Sequence, residues 1–192
     1  MARDLGMSSA EVHRWTREIL DFWLVETPPE RRFVKDAALD REIMARFGAL
    51  HTRVKAEGAA GWRDDRDTLL AAIILFDQFS RNMFRGQAEA FATDALAREL
   101  ARLALSRAWD RTMTPEERQF LYLPFMHSEN DADQALCVRL FTALGEPDAL
   151  DYARRHADQI ARFGRFPQRN AALGRESTPR EIELLSRPGE MF

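Results

Sequence analysis

The pattern of apolar and polar side chains along this chain predicts a protein made of helices. Apolar residues recur three and four positions apart in most segments, which is the spacing of one face of an α-helix. Alternating apolar and polar residues form no convincing strand, and the chain has no Asn-Gly or Asp-Gly hairpin turn. The sequence therefore predicts an all-α fold, a compact array of seven or eight helices joined by short loops.

Capping signals predict where most of these helices begin. The first helix is expected from Ser8, which forms an S-x-x-E capping box with Glu11, to about Val25. Asp36 can cap a second helix. One more helix is expected over 150–163, and the other starts are expected at Asp65, Thr93 or Asp94, Thr114, Ser128 or Asp131, and Thr178. Pro124 lacks a backbone donor, so it must kink or end the helix that contains it.

One segment differs from these amphipathic helices. Residues 69–76 carry no polar side chain, so this part of the helix expected between Asp65 and Gly86 should lie inside the core. The residues that follow bring polar groups beside the core, and each must find a hydrogen-bond partner or a ligand. Asp77 comes first, so we expect it to be buried and paired with an arginine. The segment is therefore a candidate site.

Composition and charge exclude several classes of protein. The 192 residues, 45% hydrophobic and 31% charged, are typical of one soluble domain, expected to span 1–192. A net charge of −3 gives no basic field for nucleic acid. The apolar run is too short to cross a membrane, and the N-terminus has no signal-peptide core. Cys137 is the only cysteine, which excludes an intramolecular disulfide and favours a reducing, cytoplasmic location.

Three strings carry a resemblance to a known family. They are DQFSRNMFRG at 77–86 with FATDALA at 91–97, FLYLPFMHSE at 120–129, and RFGRFPQRNAALGRESTP at 162–179. With ILDFW at 19–23 and DADQ at 131–134, they resemble the bacterial domain-of-unknown-function family 924 over most of the chain. The resemblance implies an all-helical fold related to tetratricopeptide-like helical repeats, and it implies no established activity.

Two positions depart from the pattern of that family. Asn130 stands where an acidic residue commonly follows the His-Ser-Glu string, and Ser80 stands where a proline is often found. The first departure argues against a mechanism that would use two carboxylates at this point.

Arginines near helix ends are the first candidate chemistry. Five of them fall in the first and third strings: Arg81, Arg85, Arg165, Arg169 and Arg175. Together with Asn82 and Asn170 they could bind a carboxylate or a phosphate, because the planar guanidinium group binds such oxygens with two parallel hydrogen bonds. The alternative is that each arginine complements a helix C-terminus and pairs with Asp77, Glu129 or Glu176. For any single arginine the alternative is favoured.

His127 is the second candidate. A histidine held by a carboxylate can act as general acid or base near neutral pH, and Glu129 stands two residues away. The alternative is a histidine that caps the helix break caused by Pro124. His127, Glu129, Asp131 and Asp133 lack the spacing of a known metal motif, so no metal or cofactor is expected.

These candidates predict a binding module with an arginine-rich pocket for a small anionic molecule or a peptide carboxylate. Its expected residues are Asp77, Arg81, Asn82, Arg85, Arg165, Arg169 and Asn170. One alternative is a hydrolase or lyase with an anionic substrate, in which His127 is the acid or base and Glu129 orients it. Another is an interaction scaffold without a pocket. A homodimer is allowed, and no nucleic-acid or membrane partner is expected. A shared site requires the three strings to converge in space.

Overall fold

The computed structural model describes residues 6–187, and within this range the chain forms α-helices and no strand. This confirms the all-α prediction, whereas the tetratricopeptide-like arrangement stays a prediction. The helices are α1 (Ser9–Leu20), α2 (Pro29–Arg32), α3 (Ala37–Ala56), α4 (Arg66–Ile73), α5 (Ser80–Met83), α6 (Asp94–Ser106), α7 (Pro115–Met126), α8 (Asp131–Leu144), α9 (Pro147–Phe163) and α10 (Pro179–Leu185).

Most of the predicted helix starts are confirmed. Capping boxes with both reciprocal hydrogen bonds begin α1 at Ser8, α7 at Thr114 and α10 at Thr178. The carboxylates of Asp36 and Asp65 accept backbone N–H groups at the starts of α3 and α4. These signals succeed because a cap needs only groups within three residues of itself.

Two predicted caps are wrong. α8 is capped by Asn130, whose side chain accepts from the N–H groups of Ala132 and Asp133, and not by Ser128 or Asp131. Thr93 precedes α6 but makes no side-chain cap, because its hydroxyl donates to the carbonyl oxygen of Phe76 at 2.8 Å. Thr93 thus hydrogen-bonds a residue of another segment, whereas the Ser128 hydroxyl donates to the side chain of Asp133 in the first turn of α8 at 2.7 Å.

α4 occupies the centre of the molecule. Every residue from Leu69 to Phe76 is 0% exposed, and α4 contacts α1, α6 and α7. The prediction of a buried apolar segment is confirmed. Within residues 6–187, no helix has both the length and the apolar character that a bilayer span requires.

Two π-helical segments were not predicted. Asp21–Glu26 continues α1, and Ile74–Phe79 joins α4 to α5 into one continuous helix. In each segment a threonine from outside donates its hydroxyl to a carbonyl oxygen, Thr27 to Phe22 at 2.7 Å and Thr93 to Phe76 at 2.8 Å. π-helical turns are rare and occur often at functional sites. The second segment contains Asp77 and so coincides with the candidate site.

A chain of hydrogen bonds explains the burial of Ser80, just after this π-helical segment. The Thr93 hydroxyl donates its one hydrogen to Phe76, so the Ser80 hydroxyl donates to Thr93 at 2.9 Å. The Ser80 oxygen then accepts from His51 Nε2 at 2.8 Å. Ser80 is 0% exposed. This serine is therefore a structural link between α3, α5 and α6.

Candidate functional site

Asp77 is the centre of the polar groups that follow the buried helix. Its side chain is 1% exposed, and His127 Nδ1 lies 2.7 Å and 3.0 Å from its two carboxylate oxygens. The Gln78 amide donates to the carboxylate at 2.5 Å, and Arg81 lies 3.2 Å away. The prediction that Asp77 is buried and paired with an arginine is confirmed.

These partners keep Asp77 ionised. Burial by itself would raise the pKa of the carboxyl group, but the charge of Arg81 and the contact with His127 outweigh it. The pKa of Asp77 therefore lies well below its usual range. As an ionised carboxylate it can only accept hydrogen bonds, and each of its three neighbours supplies a donor.

Asp94, at the first residue of α6, joins two arginines to this group. Arg81 donates to both of its carboxylate oxygens at 3.0 Å and 3.1 Å, and Arg169 donates to one of them at 3.2 Å. Arg169 also donates to the carbonyl oxygen of His127 at 2.8 Å. These five residues are called the Asp77 cluster below: Asp77, Arg81, Asp94, His127 and Arg169. The three strings therefore converge, as expected.

The sequence interpretation missed Asp94 as a site residue and considered it only as a helix cap. The available signal was its position inside the FATDALA string, which follows the string of Asp77 and Arg81 directly. A cap and a partner for two arginines require the same residue type, so only the tertiary contacts distinguish the two roles.

Arg169 lies close to two aromatic rings. Its guanidinium carbon lies 4.6 Å from the ring centre of Phe91 and 4.6 Å from that of Phe166. Burial and the nearby charge of Arg81 lower its pKa to about 10, so it remains protonated at neutral pH. Both rings are within the distance at which an aromatic ring attracts a cation.

His127 presents one free ring nitrogen. Nδ1 carries the hydrogen that Asp77 accepts, and burial together with the charge of Arg81 lowers the pKa of the ring below its usual value. The ring is therefore neutral near pH 7, with a lone pair on Nε2. No residue of the range 6–187 hydrogen-bonds this Nε2, and the side chain keeps 16% of its surface exposed.

Glu129 has a different role from the one expected. It accepts from Arg175 at 2.8 Å and 3.0 Å, and from the backbone N–H of Phe166 at 2.8 Å. The prediction that Glu129 orients His127 is wrong, because Asp77 occupies that position. Glu129 instead ties the segment before α10 to the end of α7.

Four other expected site residues lie outside the Asp77 cluster. Asn82 and Arg85 both donate to Asp40 of α3, at distances of 2.8 to 2.9 Å. Arg165 binds Glu181 of α10. The Asn170 amide donates to Ser177, and its oxygen is buried with no partner in the described part of the chain. Arg85 and Arg165 each have an acidic partner, but these partners are Asp40 and Glu181 and not the Asp77, Glu129 or Glu176 that the pairing alternative named.

Three nitrogen atoms of the cluster have no hydrogen-bond partner among residues 6–187. They are Arg81 Nε, Arg169 Nε and His127 Nε2, none of which bonds a residue of the described range. None belongs to the fully buried unpaired atoms, in contrast to Nε of Arg118 and Nε of Arg175. The cluster therefore offers two Nε–H donors and one imidazole acceptor that are not sealed inside the described part of the protein.

Other parts of the described chain offer less. No group of three or more His, Cys, Asp or Glu side chains between residues 6 and 187 is arranged to hold a metal ion. A surface cleft of about 280 Å³ lies beside α1, and opposite charges line it: Arg14, Arg17, Glu18, Asp21 and Glu26. No residue of the Asp77 cluster lines this cleft.

Comparisons with known proteins support the fold and add no activity. A family model described as bacterial protein of unknown function (DUF924) matches residues 19–189. A solved structure of a protein of unknown function from Agrobacterium tumefaciens is 40% identical, with a TM-score of 0.86. This similarity covers 91% of the present chain and 98% of the other. No curated protein matches the sequence.

The first prediction concerns Asp77. Replacing it by alanine removes the acceptor shared by Arg81 and His127, and breaking such a buried pair costs about 3–5 kcal/mol of unfolding free energy. We expect Asp77→Ala to lose that amount in urea unfolding, and Asp151→Ala, at an exposed position of α9, to change stability by less than about 0.5 kcal/mol. Equal stability of the Asp77→Ala protein and the parent would contradict the burial of this charge.

The second prediction concerns pH. Burial lowers the pKa of His51 to about 4 and of His156 to about 3, and it lowers that of His127 as well. The unfolded chain, with histidine pKa values near 6.5, then binds more protons than the folded one, so stability falls as pH drops below about 6.5. Between pH 8 and pH 5, His51 and His156 should each remove about 2 kcal/mol of stability.

Urea unfolding at several pH values measures this effect. His156→Asn should flatten the dependence by about 2 kcal/mol between pH 8 and pH 5 relative to the parent. Asp77 does not add to the pH dependence of stability between pH 5 and pH 8, because the stability from a lowered carboxyl pKa is lost only below about pH 4. A parent protein equally stable at pH 8 and pH 5 would contradict the prediction.

Proposed function

Because the chain belongs to the DUF924 family of bacterial proteins of unknown function, which brings no activity with it, we propose a function from the site itself: the protein binds a small anionic molecule at the Asp77 cluster. The supporting observation is the set of three unpaired nitrogen atoms, Arg81 Nε, Arg169 Nε and His127 Nε2. An oxygen of a carboxylate or phosphate can accept from both guanidinium groups.

The proposed binding is supported by guanidinium N–H groups that are free within the described range, and not by an excess of positive charge. The cluster contains two carboxylates, two guanidinium groups and a neutral imidazole, so its net charge is zero. Asp94 hydrogen-bonds both arginines and offsets the repulsion between them. Each guanidinium group has five N–H donors, and Asp94, Asp77 and the His127 carbonyl use only some of them.

A second candidate, an acid–base enzyme acting on an anionic substrate, has one observation in its favour. Asp77 fixes the hydrogen of His127 on Nδ1, which leaves the lone pair on Nε2 of a side chain that is 16% exposed. A neutral imidazole oriented by a carboxylate is the arrangement of a general base. Ser80 is not a nucleophile for this reaction, because its hydroxyl is buried in the chain of hydrogen bonds from His51 to Phe76.

Chemical modification of histidine tests the binding proposal. Diethyl pyrocarbonate acylates neutral, accessible imidazole, so we expect reaction at His127 and at His13, whose side chain is 53% exposed. Acetate or phosphate at constant ionic strength should slow the reaction at His127, about twofold when the anion concentration equals its Kd, and leave His13 unchanged. Mass spectrometry of the digested protein measures both sites in one sample.

Matched variants connect the protection to the arginines. Arg169→Lys keeps the charge but loses the planar fork, and we expect it to remove the protection at His127. Arg85→Ala, which removes an arginine paired with Asp40 outside the cluster, should keep it. If no anion protects His127 in the parent, the binding proposal fails and the arginines form a structural network only.

The enzyme candidate has its own test. A panel of anionic esters and hydroxy acids would be screened for turnover, and any activity found should fall about 10²- to 10⁴-fold in His127→Asn. The asparagine amide can still donate to Asp77 while offering no atom at the place of Nε2. Activity that survives this substitution would exclude His127 as the acid or base.

A further inference from the structure

The three unpaired nitrogen atoms of the Asp77 cluster differ in hydrogen-bonding character. Arg81 Nε and Arg169 Nε carry a hydrogen at any ordinary pH, so both can only donate. His127 Nε2 has the opposite character, and two contacts establish this. A ligand that satisfies all three atoms must accept from the arginines and donate to the histidine.

The first contact is the one between His127 and Asp77. Nδ1 lies within hydrogen-bond distance of both carboxylate oxygens, at 2.7 Å and 3.0 Å. The Gln78 amide and Arg81 also approach this carboxylate as donors, at 2.5 Å and 3.2 Å, so the carboxylate is ionised and has no hydrogen to give. The hydrogen in the contact therefore belongs to Nδ1.

The second contact is the one between the His127 ring and its cationic surroundings. Arg169 donates to the carbonyl oxygen of His127, and Arg81 shares Asp77 with the ring. The ring of His156, whose own Nδ1 donates to the carbonyl oxygen of Tyr152, lies 6.2 Å away between centres. Burial of the ring and the charge of Arg81 disfavour a positive charge on the imidazole, and together they outweigh the attraction of Asp77 and Asp94, so the pKa of His127 is lowered. Nε2 therefore has no hydrogen and acts as an acceptor.

From this arrangement we propose that the ligand of the Asp77 cluster carries a hydroxyl group beside its anionic group, as a hydroxy carboxylate or a hydrogen phosphate does. This inference rests on the proposed anion-binding function and specifies the ligand class. The anionic oxygen accepts from Arg81 and Arg169, and the hydroxyl donates to His127 Nε2. Acetate and sulfate offer only acceptors, so they leave Nε2 without a donor and bind more weakly.

A pair of ligands that differ by one hydroxyl group tests the proposal. Acetate and glycolate carry the same charge at pH 7.5, and isothermal titration at constant ionic strength gives the Kd of each. One hydrogen bond contributes about 0.5–1.5 kcal/mol, so glycolate should bind about 2- to 10-fold more tightly. The ¹⁵N resonance of His127 Nε2 should move toward that of a protonated nitrogen with glycolate and not with acetate.

A variant assigns the preference to His127. His127→Asn retains a donor for Asp77 and removes the acceptor at the place of Nε2, so its ratio of affinities for glycolate and acetate should fall to about 1. His13→Asn, on α1, should keep the ratio of the parent. The ¹⁵N measurement uses the parent protein only, so it decides the question even if the His127→Asn protein does not fold.

The outcomes separate this inference from the proposed function. Tighter glycolate binding that depends on His127, with the ¹⁵N shift, supports both. Equal binding of acetate and glycolate overturns the inference and leaves anion binding in place. A preference for glycolate that persists in His127→Asn also overturns the inference. If neither ligand binds the parent, both proposals fail.

Discussion

The burial of one carboxylate, that of Asp77, determines how the polar part of this structure is arranged. A charge at 1% exposure must be surrounded by donors, and the chain supplies them from separate places: Gln78 and Arg81 beside it, and His127 at the end of α7. Arg81 in turn binds Asp94, and Asp94 binds Arg169. Four segments that are distant in the sequence are thereby held at one place.

Stability alone is a weak explanation for such a cluster. Buried ion pairs often contribute no more stability than well-packed apolar side chains of the same volume would, because removing charges from water offsets their attraction. The Asp77 cluster also adjoins a π-helical turn, which itself requires an external donor, the hydroxyl of Thr93. Both features are common where side chains are positioned for a ligand, and both agree with the proposed binding function.

Pairing of charges decides between two interpretations of the same arginines. Arg85 and Arg165 each form two hydrogen bonds with one carboxylate, and this accounts for them as parts of the scaffold. Arg81 and Arg169 share Asp94 beside His127, and within the described part of the chain the Nε atom of each has no partner and is not fully buried. The distinction lies in which carboxylates each arginine reaches in the fold, and it cannot be made by counting arginines in the sequence.

The sequence by itself determined the helices, most of their starts and the buried segment 69–76, because capping and amphipathic spacing depend on residues within one or two turns of each other. It also determined that Asp77 would be buried and paired, since it directly follows an apolar run. Only the tertiary structure decided that Asp94 joins Arg81 to Arg169. It also decided that Asp77 and not Glu129 orients His127. Asn82 and Arg85 bind Asp40 outside the cluster, which the sequence did not indicate. The physical reason is that a charged side chain can pair with any oppositely charged side chain close enough to contact it. The packing of the helices decides which oppositely charged side chain is that close.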